Sequence, residues 1–459
     1  MAQQGPRTLR IATCNGTVSK AMVNQAFQNA GIEIVSLQGT VKVTITGGQD
    51  RELHILNGAF EVSSIREIEY TGPYNAYGGH IGLRAFNACQ DLTRATISCV
   101  TKIYAQAFAR CSRLEEAQFK DVHSIYPTAF LECHNLRRVM GSSVTTIGEQ
   151  AFADCSRLVY IESLPLVEKI ERGAFRGCES LTNVELDNVV NLGAFAFSGC
   201  TSLRSVDSLD KVQFIRSSTF KNCQRLTRID LRGSHTLRQI QQNAFEDSGV
   251  REVLLPPYKE GSENFLQISK DAFAKCAHLH SLVLTDKVYH LGERFAPQTR
   301  SIELHCHSNL TFHNDAFVFS CADRLLVVYG IPLPKGYVLP EKLSLVTVTF
   351  TGHVLEVACS GPDPLEGNPG IEPLATYIAN EIVKLTVIKK ELPQDVIKLF
   401  DSTGNVQTAE RVVFKCATKA RNGWLANAVR DKVDAFFEKD RLQQEARFTA
   451  TFADLAVVS

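Results

Sequence analysis

The sequence predicts a solenoid in which short β-strands stack in parallel from one coil of the chain to the next. The phrase Ala-Phe-x-x-Cys-x-x-Leu occurs three times at intervals of 22 residues, with its rings at Phe108, Phe130 and Phe152. An aliphatic residue lies five positions before each ring, at Ile103, Ile125 and Ile147. Apolar residues held in phase at a period of about 20 to 29 residues are typical of such repeat architectures.

The repeat extends over most of the chain when it is phased on the phenylalanine. Between Phe86 and Phe220 the copies are spaced by only 22 or 23 residues, and outside this part the intervals are longer. The weak first copies imply that the solenoid starts near residue 8, with Thr8–Ala12 as a capping strand. The thirteen predicted copies contain Phe27, Phe60, Phe86, Phe108, Phe130, Phe152, Phe175, Phe197, Phe220, Phe245, Phe273, Phe295 and Phe317.

Each coil is predicted to hold two strands and a turn. The segment Leu181–Leu186 alternates apolar and polar residues, which indicates a half-buried strand. A second short strand is predicted at the aliphatic residue before each phenylalanine, as in Thr145–Ile147, and the turn that follows places the ring in the core. One coil cannot bury its own apolar face, so stability must come from stacking of neighbours.

Eight of the fourteen cysteines occupy a single position of the repeat. Cysteine is among the residue types most often buried, so this position predicts a column of reduced, buried thiols. Coils stacked at about 4.8 Å would bring neighbouring thiols within reach of a disulfide, and cross-linking therefore stays open. The eight residues are Cys89, Cys111, Cys133, Cys155, Cys178, Cys200, Cys223 and Cys276.

Charge and hydropathy exclude several classes of protein. Lys and Arg total 49, as do Asp and Glu, which removes the basic excess of a nucleic-acid-binding protein. No run of about 18 apolar residues occurs, so no membrane insertion is expected. The first ten residues lack the apolar segment of a secretory signal. We therefore expect a cytoplasmic or otherwise intracellular protein.

The segment Thr146–Leu158, in which Ile147-Gly148 precedes the Ala-Phe phrase, resembles the BspA-like class of leucine-rich repeats. The resemblance extends over roughly Met22–Tyr329. It implies a curved leucine-rich repeat solenoid with short strands. It also implies a role in protein binding, because many members are surface or secreted proteins of bacteria and protists that engage host or matrix proteins. Cell-surface location is accordingly the alternative to an intracellular one.

The repeat ends near Tyr329, and Gly330–Gly336 has the composition of a boundary turn. We therefore predict two domains, a solenoid over residues 1–336 and an α+β domain over 337–459. In the second domain the pattern predicts strands within Leu343–Val357 and Arg411–Cys416. It predicts helices at Pro373–Ile388 and Asn422–Glu445. The order β-α-β-β-α-β is that of a ferredoxin-like sandwich, a fold that many unrelated functions share.

The candidate binding residues lie at the outward strand positions, which form columns along a solenoid. One column contains four acids in succession, although like charges on adjacent strands cost stability. The four acids predict a surface that binds a basic patch on a protein partner. The alternative is that they only make this strand face soluble in water. The predicted contact residues are Glu162, Glu185, Asp207 and Asp230, with Tyr160 in the neighbouring column and Arg138 and Arg228 as flanking cations.

Motifs for catalysis and for cofactors are missing from the sequence. It contains no phosphate-binding glycine loop and no Gly-x-Ser-x-Gly segment. His305-Cys306-His307, with His313 nearby, lacks the second pair of ligands usual in zinc sites. We expect a non-enzymatic interaction or scaffold protein without cofactor, metal or small-molecule substrate. The alternatives are a leaderless adhesin of the BspA-like type, an enzyme hidden in residues 337–459, and a structural component of a larger assembly.

Overall fold

The structure is a computed structural model that describes most of the repeat region and part of the remainder. The described residues are 7–13, 17–30, 41–47, 53–70, 78–141, 143–162, 166–257, 265–285, 287–305, 311–313, 315–316, 324–329, 343–351, 354–360 and 411–416, with the single residues Thr376, Lys432, Ala435 and Glu438. The chain divides into two compact units. Unit 1 comprises Met1–Leu279, Lys287–Pro297 and Thr311–Phe317, and unit 2 comprises His280–Asp286, Gln298–Leu310 and Val318–Ser459.

In unit 1 the coils contribute one strand to each of two rows. The first strand row consists of β1 (Arg7–Thr13), β3 (Val41–Gly47), β5 (Ile65–Tyr70), β7 (Arg94–Ile97), β9 (Glu116–Phe119), β11 (Arg138–Met140), β13 (Tyr160–Ile161), β15 (Asn183–Glu185), β17 (Ser205–Asp207), β19 (Arg228–Asp230) and β21 (Glu252–Leu254). Strands β1 to β13 of this row form one parallel sheet of seven strands. The pairs β15–β17 and β19–β21 form two further sheets.

The second strand row contains the short strands that precede each phenylalanine. They are β2 (Thr17–Val18), β4 (His54–Ile55), β6 (Gly79–Ile81), β8 (Val100–Ile103), β10 (Ser124–Ile125), β12 (Thr146–Ile147), β14 (Lys169–Ile170), β16 (Asn191–Leu192), β18 (Phe214–Ile215), β20 (Gln239–Ile240), β22 (Leu266–Ile268), β24 (Val288–Leu291) and β26 (Thr311–Phe312). Strands β2 to β16 form an eight-stranded sheet, and β18 to β26 form a five-stranded one. The two strands predicted for each coil are therefore present.

The first predicted copy adopts a helix instead of a turn. Helix α1 spans Lys20–Asn29, and the Ser19 side chain caps it by accepting a hydrogen bond from the Met22 N–H at 3.3 Å. Val23 and Phe27 lie one helical turn apart on its buried face. The predicted capping strand is confirmed, because β1 pairs in parallel with β3 along its whole length.

The structure supports about eleven turns of solenoid. This agrees with the eleven phenylalanines at the repeat position from Phe60 to Phe295, all of which are buried. Of the thirteen predicted copies, the one at Phe27 is helical, and the side chain of Phe317 lies outside the described residues.

The phenylalanine column is the centre of the unit 1 core. From Phe60 to Phe273 each ring stacks on the next, with centroids 4.9–5.7 Å apart and planes within 12° of parallel. A fully buried phenylalanine contributes about 1.5–3 kcal/mol by leaving water, and stacking adds to this. The column confirms that successive coils share one interior.

The turns around the ten repeat phenylalanines from Phe60 to Phe273 share one backbone conformation. Residues two before and two after the ring have positive φ, as at Gln150 (52°) and Asp154 (60°) on either side of Phe152. The N–H of the phenylalanine donates to the carbonyl of the next coil at 2.7–2.9 Å. Most of these left-handed positions are not glycine, at a cost of about 1–2 kcal/mol per residue. Gly173 and Gly177, which flank Phe175, avoid that cost.

The cysteine column lies beside the phenylalanines and is buried as predicted. Each Sγ donates a hydrogen bond to the backbone carbonyl of the phenylalanine in the preceding coil, at 2.9–3.2 Å. Burial raises the pKa of Cys276 to about 11 and raises the pKa of Cys133 well above its usual value. All eight are free thiols, and each gives its phenylalanine carbonyl a second donor besides the backbone N–H three residues further along the chain.

Among its described residues, unit 2 contains one sheet of six strands. They are β23 (Ser281–Leu284), β25 (Ser301–His305), β27 (Arg324–Tyr329), β28 (Leu343–Thr351), β29 (Val354–Ser360) and β30 (Arg411–Cys416), in that order across the sheet. Strands β23 to β28 are parallel, β28 and β29 are antiparallel, and β30 is parallel to β29.

The α+β prediction for residues 337–459 is tested only in part. The strand at Arg411–Cys416 is confirmed, whereas Leu343–Val357 contributes to two strands. Thr376 is helical in the first predicted helix, and Lys432, Ala435 and Glu438 are helical in the second. The remainder of both helices and the predicted boundary at residue 336 lie outside the described residues, so the ferredoxin-like assignment stays a prediction.

Candidate functional site

The outward positions of the first strand row hold the predicted acidic column, Glu162, Glu185, Asp207 and Asp230. Glu185 and Asp207 are direct partners in the parallel register of β15 and β17. Their side chains point outward, because the residue between Asn183 and Glu185 is the buried Val184. The 22-residue spacing therefore gives the predicted pairing at these two acids.

The other two acids lie beyond interruptions of the sheet. Glu162 follows β13 and Asp230 ends β19, and neither of these strands belongs to the β15–β17 sheet. All four acids are exposed. The structure thus brings together one close pair of acids, with one more on either side.

Asp230 and Glu162 each have a partner within the chain. Asp230 accepts hydrogen bonds from the Arg232 guanidinium at 2.6 and 2.9 Å and from Arg228 at 3.5 Å. The Arg232 hydrogen bonds lower the pKa of Asp230 to about 2. The Glu162 carboxylate accepts the backbone N–H of Gly141 at 3.1 Å. Asp230 is therefore largely compensated in charge, and Glu162 has a local structural role.

Glu185 and Asp207 differ from these two acids. Among the residues that the structure describes, neither carboxylate forms a hydrogen bond or an ion pair. Two like charges on neighbouring strands repel each other, and the repulsion is not offset within the described part of the chain. This pair is the most available negative charge on the column.

Tyr160 and Arg138 occupy the neighbouring outward column and are direct partners in the register of β11 and β13. Tyr160 is 53% exposed, and Val159 beside it is 48% exposed. Sequence reasoning missed Val159, although the same repeat position is polar in the adjacent coils, at Arg137 and Thr182. Val159 and Tyr160 are therefore two consecutive exposed side chains with large apolar surfaces at the start of β13.

Arg228, the second predicted flanking cation, is engaged in contacts within the chain. Its guanidinium lies 3.3 Å from the Glu252 carboxylate and 3.5 Å from that of Asp230. Arg138 forms no ion pair with a described residue and is exposed. Of the two arginines, Arg138 is the one whose charge is available to a partner.

The described residues contain neither a cluster of metal ligands nor a membrane-spanning helix. No group of three or more His, Cys, Asp and Glu side chains is arranged around a common point there. Cys306 and His307 lie outside the described residues. No helix in the described part is both long and apolar enough to cross a membrane.

Stacked parallel coils, an inner column of leucine, phenylalanine and cysteine, and outward strand columns define a leucine-rich repeat solenoid. The BspA type leucine rich repeat region matches the sequence over residues 20–159, 145–261 and 210–323, with six copies. The chain belongs to this family. A search of curated proteins found no match.

The solved structures that match this chain include three bacterial leucine-rich repeat proteins. A leucine rich cell surface protein from Faecalibacterium prausnitzii is 24% identical with a TM-score of 0.36, over 52% of this chain and 82% of that one. The leucine-rich repeat protein of T. pallidum is 19% identical with a TM-score of 0.31, over 49% and 82%. A leucine-rich repeat protein from Eubacterium ventriosum is 16% identical with a TM-score of 0.31, over 64% and 88%. The family assignment rests on the sequence match alone.

Proposed function

We propose that this chain is a non-enzymatic protein-binding protein that engages a basic patch of its partner through the first strand row. The observation that carries the proposal is the pair Glu185 and Asp207, held in register on adjacent strands without a counter-charge among the described residues. A cationic partner surface would relieve the repulsion between them. Binding would therefore gain both the new attraction and the removal of an unfavourable contact.

The neighbouring coil supplies an apolar contact to the same surface. Tyr160 and Val159 are about half exposed, and Arg138 adds a positive charge beside them. Aromatic side chains and arginine are enriched among the residues that contribute most to binding. We therefore assign Tyr160 as the apolar anchor and the two acids as the electrostatic contact.

The rigidity of the stack favours binding. Each outward side chain stands on a strand whose backbone is fixed by the buried columns beneath it, such as Val184 under the acid pair. Little backbone freedom is lost on association, so more of the contact energy appears as affinity. The charges also accelerate encounter with an oppositely charged surface, and this effect weakens as salt is added.

For residues 337–459 we propose a ferredoxin-like α+β domain that docks or oligomerises. The strands β28, β29 and β30 and the helical residues Thr376 and Lys432 support the mixture of strand and helix in this part of the chain. Nothing in the protein-binding proposal for the first strand row depends on this assignment.

The test is affinity capture of the tagged full-length chain from its native cell, followed by binding of each purified captured partner at several salt concentrations. The double variant Glu185→Lys and Asp207→Lys should lose the partner or bind it at least about tenfold more weakly, because two repulsive contacts replace two attractive ones. Its remaining affinity should depend less on salt than that of the wild type.

A matched control is available on another part of the coils. Glu149 and Glu168 are exposed acids near the second strand row, so Glu149→Lys with Glu168→Lys changes net charge by the same amount. This control should bind like the wild type. Equal affinity of all three proteins for every captured partner would contradict the proposal.

A further inference from the structure

Two histidines of the second strand row face each other across adjacent coils. His54 on β4 and His80 on β6 are direct partners in the parallel register. Their Nδ1 atoms are 2.9 Å apart, and both side chains are half-buried. Tyr104 of the next coil packs edge-on against the His80 ring at 5.3 Å, which restricts its orientation.

The geometry of the pair differs from that of a straight hydrogen bond. A ring N–H pointing directly at the other ring nitrogen would place the ring centroids about 5.2 Å apart at a nitrogen separation of about 2.9 Å. The observed centroid separation is 4.6 Å, with the planes inclined by 55°. The axes of the two rings therefore do not lie along the line that joins the Nδ1 atoms.

The observed distances agree with two ligands at a right angle around one metal ion. Metal–nitrogen bonds of about 2.0–2.1 Å at a right angle place the nitrogens about 2.9 Å and the ring centroids about 4.5 Å apart. A tetrahedral ion with the same bond lengths would need about 3.3 Å between the nitrogens and about 5.2 Å between the centroids. The observed 2.9 and 4.6 Å agree with the right-angle arrangement.

We propose that His54 and His80 form a two-imidazole site for Cu²⁺ or Ni²⁺, which joins two adjacent coils near the N-terminal end of unit 1. Imidazole nitrogen suits these ions, and both favour tetragonal geometry with ligands at right angles. The metal takes the place of the proton shared between the two Nδ1 atoms. That proton moves to Nε2 of the same ring, so that the lone pairs of both Nδ1 atoms are available to the metal.

The site would stabilise the coil stack as well as hold the ion. His54 and His80 belong to consecutive coils, so an ion bound to both rings resists their separation. A ligand that binds only the folded state stabilises it in proportion to the logarithm of its concentration relative to its dissociation constant. The pair could not be predicted from the sequence, because the two histidines are 26 residues apart in a part of the repeat where the spacing is irregular.

The experiment titrates Cu²⁺ alone into the full-length chain by calorimetry at neutral pH, with electron paramagnetic resonance of the one-equivalent complex. The wild type should show one tightest site with two coordinated nitrogens, and Cu²⁺ should raise its unfolding temperature. His80→Gln should weaken that site at least about tenfold, since one of two protein ligands is lost. Zn²⁺ should bind the wild type more weakly than Cu²⁺.

The control is His123→Gln, which removes an exposed histidine beside the same strand row and should leave the tightest site unchanged. His54→Gln provides a second test if His80→Gln fails to fold, and its unfolding temperature without metal checks its fold. The proposal is overturned if a folded variant of either ligand keeps the tightest site. It is also overturned if the wild-type complex lacks the two-nitrogen signal, in which case the pair is only a hydrogen bond.

Discussion

The interior of unit 1 and the outward face of its first strand row are built by the same coils, yet they differ in what recurs from coil to coil. Inside, ten phenylalanines from Phe60 to Phe273 form one continuous stack of rings. Outside, the position of Glu185 is occupied by Gln118, Met140 and Asp230 in other coils. The inward and outward side chains belong to the same stacked coils. Backbone geometry therefore does not explain why the inward residues recur and the outward residues vary.

The difference indicates which forces act on each region. An inward residue must fill a space bounded by the same residue of two neighbouring coils, so one side chain suits every coil. An outward residue meets water, and few of its contacts constrain its identity. Stability therefore depends on the repeated interior, whereas specificity for a partner depends on the outward residues that do not repeat.

The largest effect should come from removing one ring of the phenylalanine column. We expect Phe152→Ala to lower the free energy of unfolding by about 3–5 kcal/mol, because a large buried side chain is lost and a cavity remains. Phe130 and Phe175 would each lose a stacking partner as well. Denaturant unfolding of the full-length chain measures the change.

Tyr160→Ala is the control for this prediction, because it removes an aromatic ring from the outward face of the first strand row. Tyr160 is 53% exposed, so we expect a loss below about 1 kcal/mol. If the two variants were destabilised equally, the distinction between a stabilising interior and a permissive outer face would be wrong.

The interior could be predicted from the sequence because its residues recur, but the conformation of its turns could not. The positions of Phe108 and Cys111 follow from the repeat alone. The positive φ of Gln106 and Arg110 does not, since neither residue type favours it. The coils with glycine, asparagine or aspartate at these positions, such as Gly173 and Asn222, do carry a sequence signal for that conformation.

The candidate site was predicted only as far as the register extends. The spacing gave the Glu185–Asp207 pairing, which depends on backbone geometry alone. The spacing did not show that Arg232 neutralises the charge of Asp230, because Arg232 lies in the turn that follows β19 and its direction is set by that turn. The histidine pair was missed for a similar reason, since irregular spacing hides which residues become neighbours.

A position between the two regions should show a pH-dependent effect of intermediate size. Glu246 is 6% exposed and joins three coils, through Lys221 at 2.7 Å and Lys275 at 2.8 Å. Burial would raise the pKa of this carboxyl, but hydrogen bonds from Lys221, Lys275 and Asn243 outweigh it and lower the pKa to about 2.

Because the folded-state pKa of Glu246 lies below the ordinary value of 4.5, its contribution is present above pH 4.5 and is lost as the pH falls towards 2. We expect Glu246→Gln to reduce stability by about 1–2 kcal/mol at pH 7 and by progressively less below pH 4.5, given that both lysines are partly exposed. Unfolding curves at pH 7, 4 and 3 measure this. A constant difference across that range would show that the ion pairs do not stabilise the stack.

A smaller effect, of opposite sign, is expected where the turn strains a branched side chain. Val62 has a φ of 61° and is 50% exposed. Val62→Gly should raise stability by about 0.5–1 kcal/mol, because relief of the left-handed strain exceeds the added flexibility of glycine in the unfolded chain. Val62→Ala keeps the Cβ and should gain less. If Val62→Ala gained as much stability as Val62→Gly, the gain would come from removing the exposed valine side chain and not from relieving backbone strain.

The smallest effect on stability should come from the acid pair that the proposed function depends on most. Glu185→Gln removes one of two facing charges without changing shape, so stability should stay within about 0.5 kcal/mol of the wild type or rise slightly. Added salt screens the repulsion, and the wild type should therefore gain more stability from salt than the variant does. A clear loss of stability in Glu185→Gln would mean that this carboxylate has a favourable partner inside the chain. The acid pair would then belong with the repeated interior, as a feature that stabilises the stack, and the case for a basic partner at this face would lose its main support.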